Sequence, residues 1–349
     1  MFKDYYEYLT YILNKKRDSL LGIASIVAAL FGNLPKPVWI ILVLLLAILL
    51  WGLLKEAIST HKILREKHIP IVVLAGRNDD EYASMISDVL HAMKEYGFDR
   101  QSFEDDFNVD KDNYIVRREN NLTENQPEWE ALVHSFENKI LKLSAKLKGR
   151  KVFHIFLNCP ATLAIGLGSI IGTKYEVVLH HFQKGSGDNP YYPVIDFYSL
   201  STLNQDGVHI LKSRVNTPNQ FIRVEEPQTL SSIVLVSLFM AGHDLKGDVD
   251  KISNERKIPA LHIRSTMEGT IPVNADWLRA SREVATYLLN LASNQEIKTI
   301  ELYLSCPIIL AFAIGMAFGT QTPIEVYNWF PVSKEYKPVL ELNKLRQSR

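Results

Sequence analysis

Two Cys-Pro pairs, Cys159-Pro160 and Cys306-Pro307, each follow a short apolar run and precede a run of small apolar residues. Because proline fits the first turn of a helix, each pair predicts a strand that ends where a buried helix begins. The start of such a helix presents free N–H groups and the positive end of its dipole, which favours an anion. Neither cysteine has an evident base nearby, so we interpret both as packed residues and not as nucleophiles.

Other side chains with useful chemistry are expected at the carboxyl ends of strands, where open parallel sheets bind ligands. A cation at such an end can contact a phosphate, and aromatic rings can stack on bases at about 1–3 kcal/mol per base. The alternative is that these aromatic rings form a core between two lobes. The predicted strand ends are Ala75-Gly76-Arg77-Asn78, Asn158-Cys159-Pro160-Ala161, His180-His181-Phe182, Phe239 to Asp244, Ser305-Cys306-Pro307 and Asn328-Trp329-Phe330.

The sequence offers no convincing catalytic or metal-binding motif. His180 and His181 are adjacent on a predicted strand, so they point to opposite faces and are expected to be structural. The glycines of the segment 166–172 fall too late for a dinucleotide fingerprint, whose first glycine belongs in the strand-to-helix turn. Ala164, Gly168 and Gly172 instead form a stripe, spaced by four, for close helix packing. We therefore expect no catalytic residue, no metal and no cofactor.

The elements that position these residues occur twice. With Cys159 set on Cys306, Ala164 falls on Ala311, Gly168 on Gly315 and Gly172 on Gly319. One inserted residue then places Phe182 on Phe330, and the motif Tyr191-x-Pro193 matches Tyr336-x-Pro338 in outline. Agreement of strand, Cys-Pro, small-residue helix, strand and Tyr-x-Pro strand in one order predicts an internal duplication.

The alternation of strands and helices predicts an α/β fold with mostly parallel, doubly wound sheets. Opening strands are expected at 69–75 and 232–239, and helices at 80–96, 131–147, 244–256 and 276–293. The segment 97–126 is polar and without pattern, and it is interpreted as an insertion or loop. We expect two Rossmann-like lobes, 61–225 and 226–349, related by a pseudo-two-fold axis.

The first 60 residues predict a membrane region. The stretch 20–54 is almost uncharged, and Pro35 and Pro37 divide it into predicted helices at about 20–34 and 38–54. One long kinked helix is the alternative. Lysine and arginine flank the stretch on both sides, so both ends are expected in the cytoplasm. Because the formal net charge is zero, we expect no DNA or RNA polymer as a partner.

The duplicated pattern resembles the SAVED domain, a fusion of two CARF-like lobes. With the N-terminal hairpin, the whole chain resembles a two-transmembrane SAVED effector of the cyclic-oligonucleotide-based antiphage signalling system (CBASS). The resemblance covers about residues 65–349 and depends mainly on 152–198 and 300–342.

This resemblance implies a receptor and not an enzyme. A CD-NTase nucleotidyltransferase would supply a cyclic oligonucleotide, expected to be a cyclic trinucleotide. Ligand would drive formation of a homo-oligomer whose hairpins disrupt the lipid bilayer of the bacterial inner membrane, while the SAVED domain lies in the cytoplasm. The implied ligand-binding residues are Arg77, Asn78, Asn158, Cys159, Pro160, Ala161, Phe182, Ser305, Cys306, Pro307, Trp329 and Phe330.

Two alternatives remain from the sequence. The first is a membrane-anchored CARF-like ring nuclease that cleaves its own cyclic ligand, since metal-free cleavage needs little more than positioning. The second is a passive scaffold that the hairpin only tethers to the membrane.

Overall fold

The computed structural model describes residues 51–52, 66–76, 79–183, 189–198, 202–204, 206–215, 217 and 219–346. The predicted helices at 20–34 and 38–54 lie outside these residues, apart from Trp51 and Gly52, and so do Arg77 and Asn78. Within the described part of the chain, no helix has the length and apolar character that a membrane span requires. The chain divides into one unit of residues 1–67 with 148–150, and a second of 68–147 with 151–349.

In the first unit, the described residues are few. Trp51 and Gly52 are helical, and the amine of Lys67 donates a hydrogen bond of 2.8 Å to the carbonyl oxygen of Lys148.

The second unit contains two sheets, whose surrounding elements we name lobe 1 and lobe 2. Lobe 1 is built from β1 (Lys67–Ala75), α1 (Asp79–Lys94), α2 (Arg100–Phe107), a 3-10 turn (Lys111–Asn113), β2 (Ile115–Arg118), α3 (Gln126–Lys146), β3 (Lys151–Asn158), α4 (Ala161–Ile171), β4 (Glu176–Phe182) and β5 (Tyr191–Asp196). The strand order is β2-β1-β3-β4-β5. β1 with β2 and β3 with β4 are parallel, while β5 is antiparallel at the edge.

Lobe 2 repeats this order with one additional strand. It contains β6 (Ile222–Glu225), β7 (Ile233–Phe239), α5 (Lys246–Arg256), β8 (Ala260–Ser265), α6 (Trp277–Ala292), β9 (Thr299–Ser305), α7 (Ile308–Phe318), β10 (Ile324–Phe330) and β11 (Glu335–Glu341). The order β8-β7-β9-β10-β11 matches that of lobe 1. β6 lies within the predicted range of lobe 1, 61–225, but it pairs with β8 in the second sheet.

The predicted opening strands and the four predicted helices are confirmed. The interpretation of 97–126 as an insertion or loop is wrong, because this segment contains α2 and the edge strand β2. Ile115 and Val116 are buried and pair with Val72 and Val73 of β1. Only these two apolar residues mark the strand, so no alternating pattern is visible in the sequence.

The two small-residue helices, α4 and α7, pack against each other at the lobe interface. A Cβ on Gly168 would collide with the carbonyl oxygen of Phe312, and a Cβ on Gly315 would collide with that of Ile165. Both pairs are related by the same offset in sequence, as a pseudo-two-fold axis requires. The predicted packing stripe is therefore confirmed for these two glycines.

Gly172 and Gly319 have another role than the predicted stripe. Both follow the last residue of their helices, with φ of 56° and 61°. With ψ of −140° and −161°, this positive-φ conformation is open to glycine without a steric penalty, so the two residues end α4 and α7.

Candidate functional site

The hydrogen-bond register determines which residues of the two lobes correspond. In lobe 1, His180 pairs with Phe156 on one side and, after a β-bulge, with Pro193 on the other. In lobe 2, Tyr327 pairs with Tyr303 and, after a bulge at the same place, with Pro338. His180 therefore corresponds to Tyr327.

This register corrects the predicted insertion. Phe182 pairs with Tyr191, and Trp329 pairs with Tyr336, so Phe182 corresponds to Trp329 and not to Phe330. The difference in length falls in the hairpin loops instead. A loop accepts extra residues, whereas a one-residue slip within a strand turns every side chain to the other face.

Each lobe carries the same arrangement of four rings at the ends of its strands. The rings of Phe156 and His180 stack with centroids 4.3 Å apart, and those of Tyr303 and Tyr327 stack at 4.8 Å. Outside these pairs, Phe182 lies 5.3 Å from the ring of Tyr191, and Trp329 lies 5.0 Å from the ring of Tyr336.

The outermost rings are equally exposed, at 44% for Phe182 and 45% for Trp329. Both are therefore able to stack on a ligand. Phe330, in contrast, is 8% exposed and makes a T-shaped contact with Trp129, so most of its ring belongs to the core.

Among the described residues, three cavities lie at the carboxyl ends of these strands. The lobe 1 cavity has a volume of about 740 Å³ and is lined by Asp88, Asn158, His180, Phe182, Tyr191 and, from lobe 2, Cys306 and Pro307 among others. The lobe 2 cavity, of about 480 Å³, is lined by Ser305, Tyr327, Trp329, Tyr336 and, from lobe 1, Thr162. The third, the edge cavity of about 560 Å³, includes Gly76, Pro160, Trp329 and Phe330.

The structure thus brings most of the predicted ligand-binding residues to these cavities. The described residues that line them are Asn158, Pro160, Phe182, Ser305, Cys306, Pro307, Trp329 and Phe330. Cys159 is buried and Ala161 half-buried, and neither lines one of the three cavities. Arg77 and Asn78 are outside the described residues.

The two cysteines are unreactive as nucleophiles. Burial raises the pKa of both the Cys159 and the Cys306 thiol to about 12. A neutral thiol is a poor nucleophile, so packing is the role that these geometries support.

Sequence reasoning missed the carboxylates of the cavities. Asp80, Glu81 and Asp88 of α1 line the lobe 1 cavity, and burial raises the pKa of Asp88. Asp248 of α5 lines the lobe 2 cavity. The helix that follows the first strand supplies the acids in both lobes, and the acidic start of α1 was the signal that could have located them.

A histidine and a tyrosine surround Asp248. Nε2 of His243 lies 3.4 Å from its carboxylate, and the hydroxyl of Tyr336 donates to it at 3.3 Å. All three side chains line the lobe 2 cavity. This cluster has the composition of an acid–base group.

Three neighbouring histidines, of which His154 and His180 are buried and His68 is half-buried, were not expected to act together. His180 lies in a hydrogen-bonded chain with His154 and His68, whereas His181 packs against Trp277 at 4.6 Å. Burial lowers the pKa of His154 to about 2 and that of His180 to about 3, so both rings are neutral. The predicted structural, hydrogen-bonded role of His180 agrees with these contacts.

A second buried group has the connectivity of a hydrolase triad. The hydroxyl of Ser237 lies 2.7 Å from Nδ1 of His262, whose Nε2 lies 3.0 Å from Asp250. Ser237 is only 1% exposed in the interior of β7, so no substrate reaches its hydroxyl. Among the described residues, no group of three His, Cys, Asp or Glu side chains is placed to hold a metal ion.

Comparison with solved structures finds similar chains at low identity. A receptor with SAVED/CARF domains, Cap4 of Acinetobacter baumannii with the cyclic trinucleotide 3'3'3'-cAAA, is 15% identical, with a TM-score of 0.45 over 62% of this chain and 44% of that chain. A further structure of Acinetobacter baumannii Cap4 is 13% identical, with a TM-score of 0.46 over 82% of this chain and 52% of that chain. Cap4 of Moraxella osloensis is 14% identical, with a TM-score of 0.41 over 63% and 43%. The chain thus spans about half the length of these receptors.

No curated protein matches the sequence. A family model does: the SMODS-associated and fused to various effectors sensor domain, SAVED, matches residues 116–197 and 206–342. These ranges include the ring arrangement of both lobes, the two Cys-Pro helix starts and most of the cavity walls. On that evidence the chain belongs to the SAVED family of sensor domains.

Proposed function

We propose that this chain is the receptor and effector of a CBASS-type system, and that its two lobes together bind a cyclic oligonucleotide. The observation that carries the proposal is the pair of corresponding cavities, each with an exposed aromatic ring, Phe182 or Trp329, beside the start of a buried helix. Aromatic rings stack on bases of any sequence, and helix starts bind anions.

The charges of the cavities orient the ligand. Asp80, Asp88 and Asp248 would repel a phosphodiester, whereas carboxylates accept hydrogen bonds from the amino groups of bases. The starts of α4 and α7, at Pro160 and Pro307, carry no carboxylate in their first turns. The phosphates are therefore assigned to the helix starts, and the bases to the cavities.

The arrangement favours a ring with three bases. The lobe 2 cavity and the edge cavity share Asn328 and Trp329, and the lobe 1 cavity adjoins the start of α7. Around the two helix starts, the described residues thus line three cavities, and each has room for a base. Two of the Cap4 structures contain the cyclic trinucleotides 3'3'3'-cAAA and 2'3'3'-cAAA, and we propose the same ligand class here.

The effector half of the proposal depends on residues 1–60. An uncharged stretch flanked by lysine and arginine supports a hairpin in the inner membrane, with the SAVED domain in the cytoplasm. The ligand, made by a partner CD-NTase, would drive formation of a homo-oligomer and disruption of the bilayer. In this function the chain binds its ligand without chemical conversion.

Binding is tested by thermal unfolding of the full chain in detergent with 3'3'3'-cAAA. A ligand at 100 times its dissociation constant should add about 2.7 kcal/mol to the free energy of unfolding. Phe182→Ala and Trp329→Ala should each weaken binding by about 1–3 kcal/mol through lost stacking. Leu141→Ala, at an exposed apolar residue of α3 away from the cavities, is the control. Absence of stabilisation by cyclic di-, tri- and tetranucleotides would contradict the proposal.

Membrane disruption is measured as release of a dye from liposomes that contain the full chain. We expect release on addition of the ligand, and none from a chain that lacks residues 1–54. Binding without release would support the passive scaffold instead.

The cluster of His243, Asp248 and Tyr336 favours a second candidate function, cleavage of the ligand. His243 would take the proton of a ribose 2'-hydroxyl, O2' would form a bond to phosphorus, and the bond from phosphorus to O5' would break. Water would supply the proton that converts the leaving O5' to a 5'-hydroxyl, the other product would be a cyclic phosphate, and His243 would return its proton to the solvent. Chromatography of the ligand after incubation decides between the candidates. Linear products that disappear with His243→Ala would identify cleavage.

A further inference from the structure

Three histidines of lobe 1 form a continuous chain across neighbouring strands. Nδ1 of His68 lies 2.8 Å from Nε2 of His154, and Nδ1 of His154 lies 2.9 Å from Nε2 of His180. Their strands β1, β3 and β4 are adjacent in the sheet. His180 is near the carboxyl end of β4, whereas His68 is the second residue of β1. The chain therefore leads from the ligand end of the sheet to the amino end of β1.

One end of this chain lacks a hydrogen bond. His180 is 2% exposed and lines the lobe 1 cavity, and its Nδ1 is buried with no hydrogen-bond partner in the described structure. A buried polar atom without a partner costs about 1–3 kcal/mol. Since Nε2 is occupied by His154, Nδ1 is the nitrogen of His180 that remains for a ligand in this cavity.

When all three rings are neutral, the series has only two proton arrangements. A neutral imidazole has one donor nitrogen and one acceptor nitrogen, so either every ring carries its proton on Nδ1 or every ring carries it on Nε2. In passing from the first arrangement to the second, water removes the proton from Nδ1 of His180. One proton then moves from His154 to His180 and one from His68 to His154, and water supplies a proton to Nε2 of His68.

We propose that this chain is a tautomer relay: a base in the lobe 1 cavity hydrogen-bonds to Nδ1 of His180 and thereby determines which nitrogen of His68 carries the proton. A donor group on the base selects the arrangement with Nε2–H on every ring, and an acceptor group selects the one with Nδ1–H. The inference rests on the proposed function, because the ligand group is a base of the cyclic oligonucleotide. The relay reports occupancy of the cavity at the strand end that directly follows the first 67 residues.

Lobe 2 does not have two alternative proton arrangements at the corresponding positions. Tyr327 replaces His180, and Glu301 replaces His154. Both oxygens of Glu301 are held by the guanidinium of Arg256, at 2.5 and 2.7 Å. An ion pair of this kind has one arrangement of protons, so the response is confined to lobe 1.

The test is nitrogen NMR of the full chain in detergent, with ¹⁵N-labelled histidine, before and after saturation with 3'3'3'-cAAA. The resonances of His68 are assigned by their loss in His68→Gln. We expect the His68 nitrogens to shift from a mixture of tautomers to a single tautomer on binding. In His154→Phe, this shift should disappear while thermal stabilisation by the ligand persists.

The contact at Nδ1 is tested separately. His180→Phe keeps a ring beside Phe156 and removes both nitrogens, so affinity should fall about tenfold, the equivalent of one hydrogen bond of about 1.4 kcal/mol. His91→Gln, on the exposed surface of α1, is the control for loss of a histidine. If His180→Phe does not fold, the NMR result on the native chain decides.

The outcomes separate the inference from the function. Thermal stabilisation by 3'3'3'-cAAA with unchanged His68 resonances would overturn the relay and leave the receptor intact. Absence of stabilisation by every cyclic oligonucleotide would overturn the proposed function, and the relay with it.

Discussion

Replacing Arg256 by methionine is expected to lower the free energy of unfolding by about 3–5 kcal/mol, because a buried carboxylate loses its counter-charge. The side chain of Glu301 is 4% exposed, and its two oxygens accept hydrogen bonds from both terminal nitrogens of Arg256. After the substitution, the hydroxyl of Tyr303, at 3.2 Å, is the remaining donor to this carboxylate among the described residues. Urea denaturation of the full chain in detergent measures the loss.

Two matched variants test whether the unpaired charge of Glu301 causes this loss of stability. Arg256→Met combined with Glu301→Gln removes both charges and should recover most of the lost stability, since the penalty comes from the unpaired charge. Lys251→Met breaks the exposed pair of Lys251 with Glu255 on the same helix and should cost less than about 1 kcal/mol. A loss of similar size in Lys251→Met and Arg256→Met would show that burial of Glu301 is not the cause.

Acidification from pH 7 to pH 5 is expected to remove about 2 kcal/mol of stability for each of His154 and His180. Burial lowers their pKa values in the folded protein to about 2 and about 3, and in the unfolded chain both return to about 6.5. Below pH 6.5 the unfolded state therefore binds more protons than the folded state. The free energy of unfolding therefore decreases as the pH is lowered. Each pH unit corresponds to about 1.4 kcal/mol per group.

The contribution of His154 to this loss of stability is measured by comparison with the variant His154→Phe. This variant should lose about 2 kcal/mol less than the native chain between pH 7 and pH 5, measured by urea denaturation at both values. Identical pH dependence in the native chain and the variant would mean that His154 is protonated in the folded state or is solvated there.

The duplication was predictable because local patterns repeat at a constant offset. Buried strands, the Cys-Pro helix starts at Pro160 and Pro307 and the apolar helices α4 and α7 are each encoded within a few neighbouring residues. The packing role of Gly168 and Gly315 was also predictable, since residues four apart lie on one face of a helix. Phe182, Trp329 and Phe330 were all predicted at strand ends, but only the structure shows that the first two are exposed and the third is buried.

The correspondence of Phe182 with Trp329 was not predictable from the amino-acid sequence. A sequence comparison rewards the identity of Phe182 with Phe330, whereas backbone pairing across β4 and β5 decides the actual register. The carboxylate at Asp88 was missed for a related reason. It reaches the cavity because α1 lies over the sheet, and no local pattern shows which face of a polar helix does so.

The amino-acid sequence alone determined the duplication, the two lobes and the strand ends that bear the candidate site. It also supports the predicted hairpin of residues 20–54, which lies outside the described structure apart from Trp51 and Gly52. Only the tertiary structure decided the cavities, the ion pair of Glu301 and the chain of His68, His154 and His180. The physical reason is distance along the chain: His68 and His154 are 86 residues apart and become neighbours only when β1 and β3 enter one sheet.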